Sequence, residues 1–368
     1  MRNSQHSSIE SITTRSKHPL PDFIEIDFIE CGDTGSGDAI AIRHRHKNVD
    51  WIYVVDGGYK EDGTKLVEHI RNYYDVPYSI NFVVLTHSDT DHASGLKAVL
   101  RHFNVGCLRM NRPWEHVDEL MPKFKNFQDR ERLVARLKRA FPHVSELEEI
   151  AHQRGIEIKD TFAGNNIGVF TVLAPSKSAY LDLIVQSEKT PAPVGKTTAR
   201  FAKSESSAEW GEENLKGDSV GTNEENETSI VQFAHVCNKK VLLTGDAGVK
   251  ALTEAHQVAT RLNISTAELD WFHVPHHGSR RNLSSGILNT WLGEMLPRQI
   301  ERPKLNAIIS ANRKDKDHPK KAVIRAMIHR GRRVVQTNGT LRLYTNNAPE
   351  RAGWYPSIPL EYPTDQED

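Results

Sequence analysis

The chain has 368 residues, 38% of them hydrophobic, which is enough for a proper core in one large domain or two. Lys plus Arg equal Asp plus Glu at 48 each, so overall charge names no partner and only local clustering can. No run approaches the ~18 apolar residues of a membrane span, and the N-terminus lacks the apolar block of a secretory signal. With Cys31, Cys107 and Cys237 free of any C-x-x-C spacing, the expectation is a reduced, cytoplasmic protein with no membrane partner and an oligomeric state the sequence leaves open.

Residues 1–21 read as a disordered N-terminus. Alternation then predicts strands at 23–29, 39–43 and 51–55, with a glycine-rich loop at 31–38 between the first two. That loop lacks a Gly-Lys-Ser ending, which excludes phosphate cradling by a P-loop. A helix is expected over 63–74, a strand at 81–85 and a helix from Ala93 to Leu100. Residues 115–155 carry helical signals throughout, including an amphipathic basic stretch at 127–141 that reads as a packed surface helix ended by Pro142. A strand at 167–173 precedes a polar stretch at 176–227 with few apolar residues, expected to be a long mobile insertion. Strands follow at 229–233, 240–243, 270–274, 305–310 and 341–345, with helices at about 249–262 and 319–330, and 347–368 reads as a tail. The alternation of strand and helix gives an α/β fold class. No internal repeat has a solenoid period. Of the 18 histidines, His46, His69 and His329 lie outside any motif.

The informative segment is Thr86-His87-Ser88-Asp89-Thr90-Asp91-His92, directly after an apolar strand. Imidazoles and carboxylates at this density, buried without a cation, would repel or lie desolvated, so the turn reads as a metal site with ligands His87, Asp89, Asp91 and His92. The alternative is an exposed polar loop. Three later strand ends add candidates: Thr244-Gly245-Asp246, whose carboxylate can bridge two cations; Pro275-His276-His277-Gly278-Ser279; and Asp317-His318-Pro319. In a layered α/β protein, ligands gather at that edge of the sheet.

The order of these motifs resembles the metallo-β-lactamase superfamily, and more closely the soluble hydrolase domain of bacterial DNA-uptake (competence) channel proteins. The likeness runs over roughly 23–345 and also includes Gly37-Asp38-Ala39-Ile40, Asp56-Gly57-Gly58 and Asn226-x-x-Ser229. It implies a four-layer αβ/βα sandwich over 22–346 with two divalent ions, zinc or manganese, in an edge cleft. The resemblance assigns His87, Asp89 and Asp246 to one ion, and Asp91, His92, Asp246 and a histidine of the His276-His277 pair to the other; His277, in the place of the histidine in the Gly-His-Gly turn of many relatives, is the preferred ligand, which leaves His276 beside the ligands or acting as an acid. Asp89 stands where most of the superfamily has histidine, which hardens the site. The position of a further histidine ligand falls near Leu173-Ala174-Pro175 and offers none. No segment of these residues reads as the membrane channel of those proteins, so transport is not expected to carry over.

The chemistry this implies is hydrolysis of a phosphodiester, DNA or RNA among the candidates, with Asp91 orienting or deprotonating water and His318 protonating the departing oxygen or holding a phosphate oxygen. Ser279, Arg280, Asn226 and Lys314 are the substrate-binding candidates, Arg280 and Lys314 because the basic residues after the His-His turn and around His318 should lie on the metal edge. A His-Pro pair is also an ordinary helix-cap region, and the basic residues could be a solvated loop. Two other readings stay open: a different hydrolase of the superfamily, acting on a phosphocholine-like ester, lactone or thioester, and a metal-bound sensor or interaction module without turnover.

Overall fold

A computed structural model describes residues 20–124, 129–190 and 210–365. Among these, fourteen strands form two sheets. The first sheet takes β1 (Phe23–Ile29), β2 (Ala39–His46), β3 (Val49–Gly57), β4 (Ser79–Val84), β5 (Asn104–Arg109) and β6 (Glu157–Lys159). The second takes β7 (Asn166–Ile167), β8 (Phe170–Ala174), β9 (Val231–Val236), β10 (Lys239–Leu243), β11 (Trp271–His273), β12 (Leu305–Ile309) and β13 (Arg332–Gln336), and β14 (Thr340–Tyr344) returns to the first sheet beside β1. Each sheet is mixed. In the first, β14, β1, β2 and β3 pair antiparallel and β3 to β6 pair parallel; in the second, β10 to β13 are parallel and β7 to β10 antiparallel.

The helices are α1 (Lys60–Tyr73), α2 (Thr90–Ala93), α3 (Leu96–His102), α4 (Val117–Leu120), α5 (Arg130–Ala140), α6 (Pro142–Gln153), α7 (Lys177–Gln186), α8 (Glu224–Glu227), α9 (Val249–Arg261), α10 (Ser285–Leu292) and α11 (Lys321–His329). Three apolar layers follow from strand alternation. One face of each sheet meets the other sheet, where Ile24, Phe28, Ile42 and Val84 pack with Val172, Val241, Trp271 and Val335. The outer face of the first sheet is covered by α1, α3 and α5 to α7, and that of the second by α9 to α11. Full burial of each such side chain contributes about 1.5–3 kcal/mol. This is the α/β, two-sheet sandwich that the resemblance implied.

Four expectations need correction. Pro142 does not end α5 in isolation; it opens α6, at the first helical position where its missing N–H costs nothing. The strand–helix pattern after the metal turn splits into α2 and α3. The stretch 176–227 is not one insertion: Ser176 caps α7 through Ala179 N–H, and Tyr180, Leu181 and Ile184 are buried in the first sheet's outer core. Residues 191–209, and almost all of the N-terminal segment read as disordered, lie outside the described residues. Finally, the tail is held to the body over its described residues. Arg351 pairs with buried Asp27 and Glu25 and lies over the rings of Tyr73 and Trp354, while Leu360 and Tyr362 pack on the second sheet's outer core. Two of the histidines outside the motifs are buried: His69 beside Asp27, and His329 beside Glu213. No described helix is long and apolar enough to cross a membrane.

Candidate metal centre

Four strand ends meet at one rim. The chain leaving β4 supplies His87, Asp89, Asp91 and His92; that leaving β10 supplies Asp246; that leaving β11 supplies His276 and His277; and that leaving β12 supplies Ser310, Asn312, Asp315 and His318. Atoms of His87, His92 and Asp246 lie within 4.8 Å of one another, as do those of Asp91, His92 and His277. Asp246 is the hub. Its Oδ1 is 3.2 Å from His92 Nε2 and 4.0 Å from His277 Nε2, and its Oδ2 is 3.8 Å from His87 Nε2 and 3.6 Å from His276 Nε2. Asp91 Oδ2 lies 3.3 Å from His277 Nε2 and 3.7 Å from His92 Nε2, and Asp89 Oδ2 lies 3.6 Å from His87 Nε2.

The rings are held from behind. Buried Asp56 accepts from the Thr86 N–H at 2.8 Å, the Thr86 hydroxyl at 2.6 Å and His92 Nδ1–H at 2.8 Å. Because the Thr86 hydroxyl proton is spent on Asp56, its oxygen is free to accept from His87 Nδ1–H at 3.1 Å. His277 Nδ1–H donates to the Ser310 carbonyl at 2.8 Å. All three rings therefore carry the proton on Nδ1 and turn the Nε2 lone pair inward, as metal-ligating imidazoles do. The backbone is bent to allow it: Asp56, His276 and His277 have φ of 57°, 50° and 54°, and Gly278 has 86°. Non-glycine residues in the left-handed region carry strain that the surrounding contacts must hold.

The donor set fits a cation. His87 Nε2, His92 Nε2 and Asp246 Oδ1 are buried with no hydrogen-bond partner, and polar atoms left this way cost about 1–3 kcal/mol each. Without metal, protons take the role. Burial alone would lower His92 and His277, yet Asp246 and the neighbouring carboxylates outweigh it, raising His92 well above its ordinary value and His277 to about 9. Burial would raise Asp246, but His276, His92 and His277 hold it well below the usual carboxylate range. Asp89 is likewise held down against burial by His87 and by Lys189, whose Nζ donates to Oδ1 at 2.7 Å.

Every metal-ligand candidate read from the sequence thus stands at this rim. His318 stacks on His276 at 5.7 Å between ring centroids and lies 6.1 Å from His277. Its Nδ1 is 3.3 Å from Asp315 Oδ2, which also accepts from the Ser36 hydroxyl. Asn226 is buried against His276 Nδ1 at 2.9 Å rather than open to the cleft. Ser279 is buried and accepts from the Arg281 N–H, Arg280 is partly exposed on the same turn, and Lys314 is exposed on the loop after β12. Sequence reasoning gave no role to Asp38, Asp56, Asn282, Asp315 or Lys189. Asp38 is fully buried on the Nδ1 side of the cluster, 3.7 Å from His277 Nδ1 and 3.5 Å from His273 Nε2. Only the Gly37-Asp38 and Asp56-Gly57 motifs gave any signal of two of them.

Residues 32–162 match the metallo-beta-lactamase superfamily. The two packed mixed sheets with flanking helices are consistent with the metallo-β-lactamase fold. A comparison with curated proteins gives no match. Among solved structures, the metallo-β-lactamase SMB-1 bound to 2-mercaptoethanesulfonate is 11% identical over 73% of this chain and 86% of that one, with a TM-score of 0.32. A metallo-β-lactamase from Hirschia baltica is 11% identical over 67% and 86%, with a TM-score of 0.28. AidC, a dizinc quorum-quenching lactonase in complex with a product, is 11% identical over 61% and 67%, with a TM-score of 0.29. At these scores the likenesses carry no argument about the reaction of this chain.

Proposed function

We propose that the protein is a metal-dependent hydrolase of phosphodiesters, acting on a nucleic acid or nucleotide with two divalent cations, zinc or manganese. The observation that carries the reading is Asp246: one buried carboxylate faces two separate pairs of histidine Nε2 atoms, one pair per oxygen. His87, Asp89 and Asp246 would hold one ion, and Asp91, His92, Asp246 and His277 the other. Bound cations supply charge neutralisation at an anionic ester and acidification of water.

The chain's own groups do the rest. Asp91 is partly exposed at the mouth of the cluster, with Oδ2 against His277, and so can orient a water and take its proton. His318, steadied by Asp315, can hold a substrate oxygen or pass a proton to the departing one. Three carboxylates among the six ligand candidates favour hard cations such as manganese beside zinc. Lys189 beside Asp89, and Lys314 and Lys316 exposed on the loop that also carries His318, support a polyanionic substrate.

The test is turnover by metal-loaded protein on bis-p-nitrophenyl phosphate, linear DNA, RNA and cyclic nucleotides, with a lactone, a thioester and a phosphocholine ester alongside. Phosphodiester cleavage lost in folded Asp91→Ala and His277→Ala variants supports the proposal. Cleavage only of the other esters, or of none, overturns it.

A further inference from the structure

We infer that His276 is a metal ligand on the Oδ2 side of Asp246, opposite the ion that His277 serves, so that two neighbouring residues of one turn feed two different cation positions. The inference rests on the dinuclear reading above.

Three observations carry it. First, the Asp246 carboxylate sorts four imidazoles into pairs. His92 and His277 face Oδ1, whereas His87 and His276 face Oδ2 at 3.8 and 3.6 Å. The Oδ1 set also has Asp91; without His276, the Oδ2 set has only His87 and an Asp89 that already accepts from Lys189. Strand β8 supplies nothing there, since its end is buried Leu173 and Ala174.

Second, His276 is held as the other three rings are. Its Nδ1 is 2.9 Å from Asn282 Oδ1, and Asn282 Nδ2 donates to the carbonyl of Asp246 itself at 2.7 Å. A proton on Nδ1, given to Asn282, leaves the Nε2 lone pair toward Asp246. The Asn226 amide also meets Nδ1 at 2.9 Å, and its Oδ1 is buried without a partner. Half a turn of that amide would place the oxygen against Nδ1–H, while Thr222 Oγ1, now 2.8 Å from Asn226 Nδ2, can donate to an oxygen as readily as it accepts.

Third, the backbone pays strain for this arrangement. Consecutive left-handed residues at His276, His277 and Gly278 let adjacent side chains, which would otherwise diverge, present rings 5.7 Å apart at 79° beside one carboxylate.

His276 does not join the triads whose atoms lie mutually within 4.8 Å, so it stands further from the other donors than His87, His92 and His277 do. The Oδ2 position is therefore the weaker of the two, and the ions bind unequally. The experiment uses the full chain, stripped with chelator and equilibrated by dialysis against graded free zinc or manganese, with bound metal counted by elemental analysis. Wild type should hold two ions with separate dissociation constants. His276→Ala should keep the tighter ion and weaken the other by more than the roughly 10–100-fold typical of losing an outer-sphere partner. Asn282→Ala should weaken the same ion by about that 10–100-fold. Cobalt absorption spectra should change for one ion only, and thermal unfolding checks that the variants fold. Two ions held by His276→Ala with wild-type constants overturn this inference alone; fewer than two in wild type overturns the dinuclear reading and this inference with it.

Discussion

Replacing one oxygen of Asp56 with nitrogen should weaken both cations at once, although Asp56 touches neither. In Asp56→Asn the Oδ1 atom can keep the Thr86 N–H, and asparagine tolerates the left-handed φ of 57°, so the fold should persist. The second oxygen now accepts from the Thr86 hydroxyl at 2.6 Å and from His92 Nδ1–H at 2.8 Å. An NH2 in that place must donate. It draws the His92 proton from Nδ1 to Nε2, the atom that faces Asp246, and it turns the Thr86 hydroxyl toward His87 Nδ1, which favours the wrong tautomer there too. Loss of an orienting partner of this kind costs roughly 10–100-fold in affinity, or about 1.4–2.8 kcal/mol per ion. The metal-free protein should lose about 1.5–3 kcal/mol for each hydrogen bond to the charged group. Competition with a chromophoric chelator measures both dissociation constants. A folded Asp56→Asn protein that binds both ions at wild-type affinity would refute the reasoning.

Other expectations follow from the same geometry. His277 is raised from 6.5 to about 9 in the metal-free protein, so the stability it contributes is complete below pH 6.5 and is lost as pH climbs through about 9. Thermal melts of stripped protein should therefore fall across that window, while metal, which replaces the proton, should flatten the fall. Asp27 lies below its ordinary 3.8 because His69 and Arg351 outweigh burial, so its contribution is present above that value and disappears on acidification. Asp27→Asn should give a shallower acid limb in melting temperature than wild type. At Gly37 an added Cβ would lie 2.7 Å from the Asp91 carbonyl and 3.2 Å from its Cβ; Gly37→Ala should displace the metal turn and reduce metal affinity, measured by the same dialysis. Metal at about 100 times each dissociation constant should add about 2.7 kcal/mol per bound ion to the unfolding free energy, roughly 5 kcal/mol for two, read by denaturant titration with and without chelator.

The strand ends were legible because apolar alternation stops where the ligands begin: Val84 gives way to His87, Leu243 to Asp246 and His273 to His276. Strand β5 was not, since Gly106 interrupts its pattern. An added Cβ there would lie 2.8 Å from the Asn81 carbonyl, so the glycine is needed for the approach of β4. Helix α7 was hidden by the polar segment that follows it, although Ser176 is an ordinary N-cap. The supporting residues were hidden for a different reason. Asn282 meets the Asp246 carbonyl, Asp56 meets His92 and Lys189 meets Asp89 across long stretches of chain, and periodicity reports only on near neighbours. Asp315 lies in the basic stretch around His318 that could be a solvated loop, whereas the structure sets it against His318 and Ser36.

The central claim is that Asp246 divides two cations between its oxygens. Crystals of the metal-loaded protein, with anomalous scattering collected at the zinc or manganese edge, test it most directly. The account predicts two peaks, one on the Oδ1 side among Asp91, His92 and His277 and one on the Oδ2 side near His87. A single peak at Asp246 under saturating metal, no peak there, or metal bound only elsewhere on the chain, would contradict it.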